Sequence, residues 1–158
     1  FLFDSFSKMS DIKLIIAGDY SKSPEYFEKY KDCPNINFFG FADETQKETL
    51  INESLAVIVP SVCYDNYPVA LVEAFRAGIT AVGSSIGGIP YIISDGVNGE
   101  LFEPNNFEQF KSKIEKLYNN EEHRRKLSEN ARSTFLEKME FSKNITILEE
   151  IYKKTNIS

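Results

Sequence analysis

Five short, almost wholly apolar runs, each parted from the next by a stretch with helical patterning, constrain this chain's fold more than any other feature. They are IKLIIAG from Ile12, INFFG from Ile36, LAVIVP from Leu55, ITAVGS from Ile79 and ELFEP from Glu100. Runs this short, four of them ended by Gly or Pro, read as buried strands rather than helices. They recur about 20 residues apart, room for one crossover helix each, which means βαβ units and a parallel sheet. Continuous rather than alternating apolarity predicts strands covered by helices on both faces.

The intervening segments supply the helices. Leu2, Phe3 and Phe6 fall at helical spacing, so Phe1 to Met9 reads as the end of a helix. SPEYFEKYKD carries Pro24 near its start, ADETQKETLINES opens on polar starters, and VALVEAFRAG is closed by Gly78. SIGGIPYIISDGVNG reads as a glycine-rich loop, a short helix and a turn. Three more helical stripes follow: Phe107, Phe110, Ile114 and Leu117; Leu127, Ala131 and Phe135; and Ile145, Leu148, Ile151 and Tyr152, with Ser142 as N-cap.

The 158 residues, 42% hydrophobic, suit one globular domain. A net charge of −6 argues against a general nucleic-acid binder, whose affinity needs a basic surface. Cys33 and Cys63 have no CxxC spacing and read as packing residues. The single histidine, His123, lies in NNEEHRRKL and reads as part of a solvated helical face. Neither a membrane-spanning run nor a secretory leader is visible, and the sequons at Asn144 and Asn156 carry little weight without secretion.

In an open parallel sheet, ligands bind at the carboxyl ends of the strands. Asp19, Phe41, Ser61 to Pro68 and Ser84 to Gly88 all follow strand ends. No GxxxxGK[ST] loop and no GxGxxG after the first strand occurs, and no paired metal ligands stand out. Two features suit an anion: the helix start near Pro68, with free amides and the positive end of the helix dipole, and the Gly87-Gly88 turn. Asp65 and Glu73 flank that helix start with seven residues between them. On spacing alone Asp65 reads as a turn residue and Glu73 as a first-turn helix acid favoured by the dipole.

Together, Pro60-Ser61, Asp65, Glu73-Ala74, Gly87-Gly88-Ile89-Pro90 and Asp95-Gly96-Val97-Asn98-Gly99 resemble, in order and spacing, the C-terminal lobe of retaining GT-B glycosyltransferases of family 4. The likeness covers nearly the whole chain, including FSKNITILEEIYKK. It implies a Rossmann-like α/β lobe that binds a nucleotide-sugar donor, with UDP- or GDP-sugars as the expected class and no metal or other cofactor. Glu73 would accept hydrogen bonds from the ribose hydroxyls, and Asp65 would hold the transferred sugar. The backbone at Asn66, Tyr67, Pro68 and Val69 would face the sugar and diphosphate, Phe41 would contact the base, and Gly87 and Gly88 would line the cleft.

The resemblance also implies what the chain does not contain. Family members carry an Arg and a Lys on and just after a first strand, ahead of the helix ending near Met9, and an N-terminal lobe that binds the acceptor. Both are expected upstream of Phe1, with the last helix reaching back toward that lobe. The expected function is transfer of a sugar, with retention, to a glycan or lipid-linked acceptor in polysaccharide biosynthesis. The expected place is the cytoplasm, peripheral to the inner face of the membrane through the upstream lobe. The isolated chain would be an inactive nucleotide-binding module. A GT-B nucleotide-sugar epimerase is the rival reading, which the acid spacing with Gly-Gly-x-Pro disfavours; a flavodoxin-like interaction domain would bind no nucleotide. Two departures stand out: Asp65 replaces the usual Glu and is shorter by ~1.5 Å, and Tyr91 replaces an acid after Gly-Gly-x-Pro and would simply pack.

Overall fold

The computed structural model describes residues 1–140, 145, 149–153 and 155. The chain alternates as its apolar runs predict. Helices α1 (Leu2–Phe6), α2 (Pro24–Tyr30) and α3 (Glu44–Asn52) separate strands β1 (Leu14–Ala17), β2 (Ile36–Gly40) and β3 (Val57–Val59). Then come α4 (Val69–Ala77), β4 (Ala81–Ser84), α5 (Ile89–Ile92), β5 (Gly99–Phe102), α6 (Phe107–Asn119), α7 (Glu121–Thr134) and a π-helical turn, Phe135–Met139.

Local chemistry sets the boundaries. Pro24 opens α2, where its missing N–H costs nothing. Asp43 and Gln46 form a reciprocal capping box on α3, and Asn106 and Asn120 cap α6 and α7. The buried Asn35 amide lies 2.8, 3.0 and 3.0 Å from the carbonyls of Phe6, Met9 and Ile12. It thereby ties the buried end of α1 to the turn that leads into β1.

Every strand pair is parallel, in an α/β arrangement, but the strands form two groups, β1-β2 and β3-β4-β5, rather than the one sheet expected. Among the described residues only β4 is paired on both sides, and its four residues are all buried. On β1-β2, Ile15 is 49% and Phe39 40% exposed. The two groups still share a core. Leu14, Ile36, Val82, Phe102 and Phe110 belong to one buried cluster, with Ile16 of β1 and Ile58 of β3 packed against it. A second cluster, Leu71, Ala74, Phe75, Ala81, Ile89, Ile93 and Ala131, seats α4.

Two sequence expectations about single side chains are corrected. His123 is not on a solvated face: its Nε2 lies 2.7 Å from Oε1 of Glu100, whose side chain is 0% exposed. A carboxylate inside an otherwise apolar strand needs compensating donors, and α7 delivers His123 while α6 delivers Lys113 at 2.6 Å and Lys116 at 2.8 Å. Burial pushes the Glu100 carboxyl up, but the hydrogen bonds from these three partners outweigh it and lower its pKa from 4.5 to about 2. Cys63 is exposed rather than packed, whereas Cys33 packs against the core as expected. Of the last helical stripe, Ile145, Ile151 and Tyr152 are exposed, while Leu148, the Ser142 cap and both sequon asparagines lie outside the described residues.

The Glu100 cluster gives a stability prediction with a defined sign. A folded-state pKa below the unfolded one contributes stability above the unfolded value, lost as pH falls through the folded one. A depression from 4.5 to about 2 corresponds to about 3 kcal/mol at neutral pH, present above pH 4.5 and lost between 4.5 and about 2. Glu100→Gln is expected to lower unfolding stability by that amount at pH 7. Denaturant titrations of both proteins across that window should show the gap closing with acid; a gap that is constant with pH contradicts the assignment.

Candidate functional site

The loop from Pro60 to Pro68 leaves the carboxyl end of β3 and is pinned to the loop that leaves β4. The Ser84 hydroxyl donates to the Ser61 carbonyl at 2.6 Å, and the Gly88 N–H donates to the Asp65 carbonyl at 2.7 Å. Gly87, at φ 61°, sits in a conformation that L side chains rarely adopt. A β-carbon on Gly88 would lie 1.8 Å from the Asn66 carbonyl oxygen, and one on Gly87 2.7 Å from that of Asp65. The close approach that these two glycines permit is therefore to the chain's own Asp65-Asn66 backbone.

This clamp holds Asp65 half-buried, and among the described residues its carboxylate has no hydrogen-bond or ion-pair partner. Asn66, Tyr67 and Val69 are exposed around it, while Pro68 is buried and precedes α4. Pro68 has no side-chain donor or acceptor to cap the helix, and the Val69 and Ala70 amides open onto an exposed surface. Leu71, Ala74 and Phe75, all 0% exposed, lock α4 into the core so that this end stays aimed outward. An uncapped, exposed amino end of a nine-residue helix at a carboxyl sheet edge is suited to a phosphate.

Glu73 lies about one turn further along α4, half-buried. Its Oε1 accepts from Nζ of Lys47 on α3 at 2.8 Å. Hydrogen bonds to Glu73 and then Glu44 raise the Lys47 pKa, so the lysine stays charged. Phe41, 81% exposed, stands in the short loop between β2 and the Asp43 cap of α3. Two groups of sequence-predicted residues thus emerge: Asp65 and Asn66 clamped by Gly87 and Gly88, and Glu73 tied to the helix that Phe41 precedes. α4 carries both acid positions' surroundings, at its start and along its flank.

Lys47 was not foreseen from the sequence; a lysine one turn inside a mostly polar helix carries no distinguishing local signal. The Asp95-Gly-Val-Asn-Gly99 motif proves to be a self-locked turn. Asp95 accepts from the Leu101 N–H at 2.7 Å and Asn98 from the Ser94 N–H at 2.8 Å, while the Asn98 amide donates to the Ile92 carbonyl. Tyr91, expected to pack, is 92% exposed, because the short helix α5 turns Ile89 and Ile92 inward and leaves it outside.

The chain belongs to the family of glycosyl transferases group 1, whose sequence profile matches residues 2–134. Among curated proteins it is 28% identical over 144 residues to the uncharacterized glycosyltransferase MJ1178 of Methanocaldococcus jannaschii, covering 91% of this chain and 40% of that protein. Among solved structures it is similar to Anabaena HepE in complex with UDP, with a TM-score of 0.82 at 19% identity over 98% of this chain and 44% of HepE. It also resembles a C-terminal domain of a glycosyl transferase group 1 protein (LpcC) from Francisella tularensis, with a TM-score of 0.72 at 23% identity over 88% of this chain and 75% of that one. At these identities the likenesses establish the fold, that of a GT-B lobe. The chain spans about two-fifths of the curated relative, 40%.

Proposed function

We propose that this chain is the donor-binding C-terminal lobe of a retaining family 4 glycosyltransferase. It would move a sugar from a nucleoside diphosphate to a glycan or lipid-linked acceptor. The observation that carries this reading is the uncapped amino end of α4, preceded by the unpartnered Asp65 carboxylate and followed by Glu73. HepE, of the same fold, holds UDP, and in a second structure UDP-glucose.

In this reading, Glu73 accepts from the ribose hydroxyls, and a carboxylate suits a diol because it can accept from both. Asp65 holds hydroxyls of the transferred sugar. The backbone from Asn66 through Pro68 to Val69 faces the sugar and diphosphate, the exposed Phe41 ring meets the base, and Gly87 and Gly88 border the cleft by holding the Asp65 loop. During transfer the bond from the anomeric carbon to the diphosphate oxygen breaks, a bond to the acceptor hydroxyl oxygen forms, and that hydroxyl's proton passes to the departing diphosphate. Negative charge grows on the leaving diphosphate, where the amides at the start of α4 are placed to stabilise it.

The acceptor site, and the Arg and Lys that complete diphosphate neutralisation, belong to upstream parts of the same polypeptide. The unpaired edges of β1 and β3, beside a core both strands share, suit one further parallel strand from that region. The exposed Ile145, Ile151 and Tyr152 suit a contact with the upstream lobe. Without those parts the chain holds the donor and transfers nothing. No described helix is long and apolar enough to cross a membrane, and in this reading the enzyme works in the cytoplasm, held peripherally at the inner membrane face by the upstream lobe.

Calorimetric titration of the intact protein with UDP, GDP and ADP tests this reading. One nucleotide is expected to bind at least about tenfold more tightly than the others, a difference of about 1.4 kcal/mol. A well-folded protein that binds none of them at millimolar concentration would overturn the reading.

A further inference from the structure

We infer that Lys47 is a positioning residue for Glu73 and thereby sets the site's preference for ribose over deoxyribose nucleotides. The inference rests on Glu73 being the ribose acceptor proposed above. Lys47 Nζ donates to Glu73 Oε1 at 2.8 Å and to Glu44 Oε1 at 3.0 Å. The first contact is half-buried, with side chains 30% and 22% exposed, whereas Glu44 is 84% exposed. Lys47 is Glu73's one hydrogen-bond partner among the described residues, so Oε2 is left open while Oε1 is held.

The lysine is itself held in place. The Asp43–Gln46 capping box fixes the start of α3, with hydrogen bonds of 2.8 and 3.0 Å. Arg76 of α4 donates to Glu48 of α3 at 3.0 Å, a second tie across the same two helices. A glutamate has three side-chain torsions to settle before it can meet a diol, and ordering them on binding lowers affinity. Holding one oxygen in advance removes most of that cost and presents the other. Lys47 also neutralises Glu73, so that the carboxylate does not repel an incoming diphosphate. Because α3 begins just after Phe41, the ribose and base contacts are set by one element.

A lysine that merely ties α3 to α4 would lower stability when removed and leave sugar discrimination untouched. A lysine that contacted phosphate would weaken ribo- and deoxynucleotides alike. The discriminating experiment titrates the intact protein with the ribo and 2′,3′-dideoxy forms of UDP, GDP and ADP. It compares wild type, Lys47→Met, Lys47→Gln, Lys47→Arg, Glu73→Ala and the Lys47→Met/Glu73→Ala double variant, each checked for folding by circular dichroism. The expected ribose preference falls about tenfold in Lys47→Met and Lys47→Gln, as for the loss of one charged hydrogen bond. It is largely restored in Lys47→Arg, is abolished in Glu73→Ala, and falls no further in the double variant. A preference that Glu73→Ala abolishes and both neutral Lys47 variants keep overturns this inference alone. A preference that Glu73→Ala leaves intact overturns the ribose-acceptor reading beneath it.

Discussion

Glu73→Ala is expected to weaken nucleotide binding by about 10²-fold or more while leaving the protein folded. Each hydrogen bond from a ribose hydroxyl to a charged acceptor is worth about 1.5–3 kcal/mol, and two are available to a carboxylate facing a diol. The substitution also leaves Lys47 without its main partner, Glu73 Oε1 at 2.8 Å. The fold should tolerate the change. Glu73 is on the half-buried flank of α4 rather than in its core, and alanine favours helix more than glutamate does. Glu73→Gln keeps the size and one acceptor oxygen, so it should fall between the two. Calorimetry on the three proteins decides, and an affinity for Glu73→Ala equal to wild type contradicts the role given to this residue.

Gly88→Ala is expected to cost as much by a different route. The added β-carbon would stand 1.8 Å from the Asn66 carbonyl oxygen and 2.6 Å from its carbon. Backbone cannot swing aside as a side chain does, and an ordinary carbon–oxygen contact is ~3.3 Å or longer, so the loop must retreat by about 1 Å or more. That motion breaks the 2.7 Å hydrogen bond from the Gly88 amide to the Asp65 carbonyl. It carries Asp65 out of register with the start of α4. A misplacement of this size costs about 10²-fold in a positioned reaction. The loss should appear in sugar transfer by the intact enzyme more than in binding of the sugar-free nucleotide, since Glu73 is held from α3 by Lys47 rather than by this loop. Equal losses in both measurements would contradict the division of labour between Asp65 and Glu73.

The order and type of nearly every element were legible because local patterns determine them. Apolar runs stop at Gly18, Gly40 and Pro60, helix α4 starts after Pro68, and Gly78 closes it. Contacts between distant segments were not legible. Glu100 sits in GELF with nothing nearby to compensate it, and its partners Lys113, Lys116 and His123 come from the next two helices. NNEEHRRKL therefore looks solvated when read alone. The split of the strands into two groups has the same origin, because an apolar run does not say which neighbour it pairs with.

The candidate site shows the same division. Asp65, Glu73 and the Gly87-Gly88 turn could be picked out by type and spacing. The glycines' contact with the Asp65-Asn66 backbone, and the reach of Lys47 to Glu73, depend on how loops and helices from separate βαβ units meet. Tyr91 and Cys63, read as packing residues, are exposed: Tyr91 lies on the outer side of α5, whose four residues are too few to show a period, and Cys63 lies in the irregular loop after β3.

The central claim is that a nucleotide-sugar binds where the loops after β3 and β4 meet the start of α4. Mapping backbone amide shifts of the isotope-labelled protein on addition of UDP-glucose tests it most directly, with GDP-mannose as the alternative donor. The largest shifts are expected at Phe41, Asn66, Tyr67, Val69, Ala70, Gly87 and Gly88. Shifts concentrated instead along the surface groove of α6, at Lys111, Ser112 and Glu115, or no shifts with either donor, would contradict it.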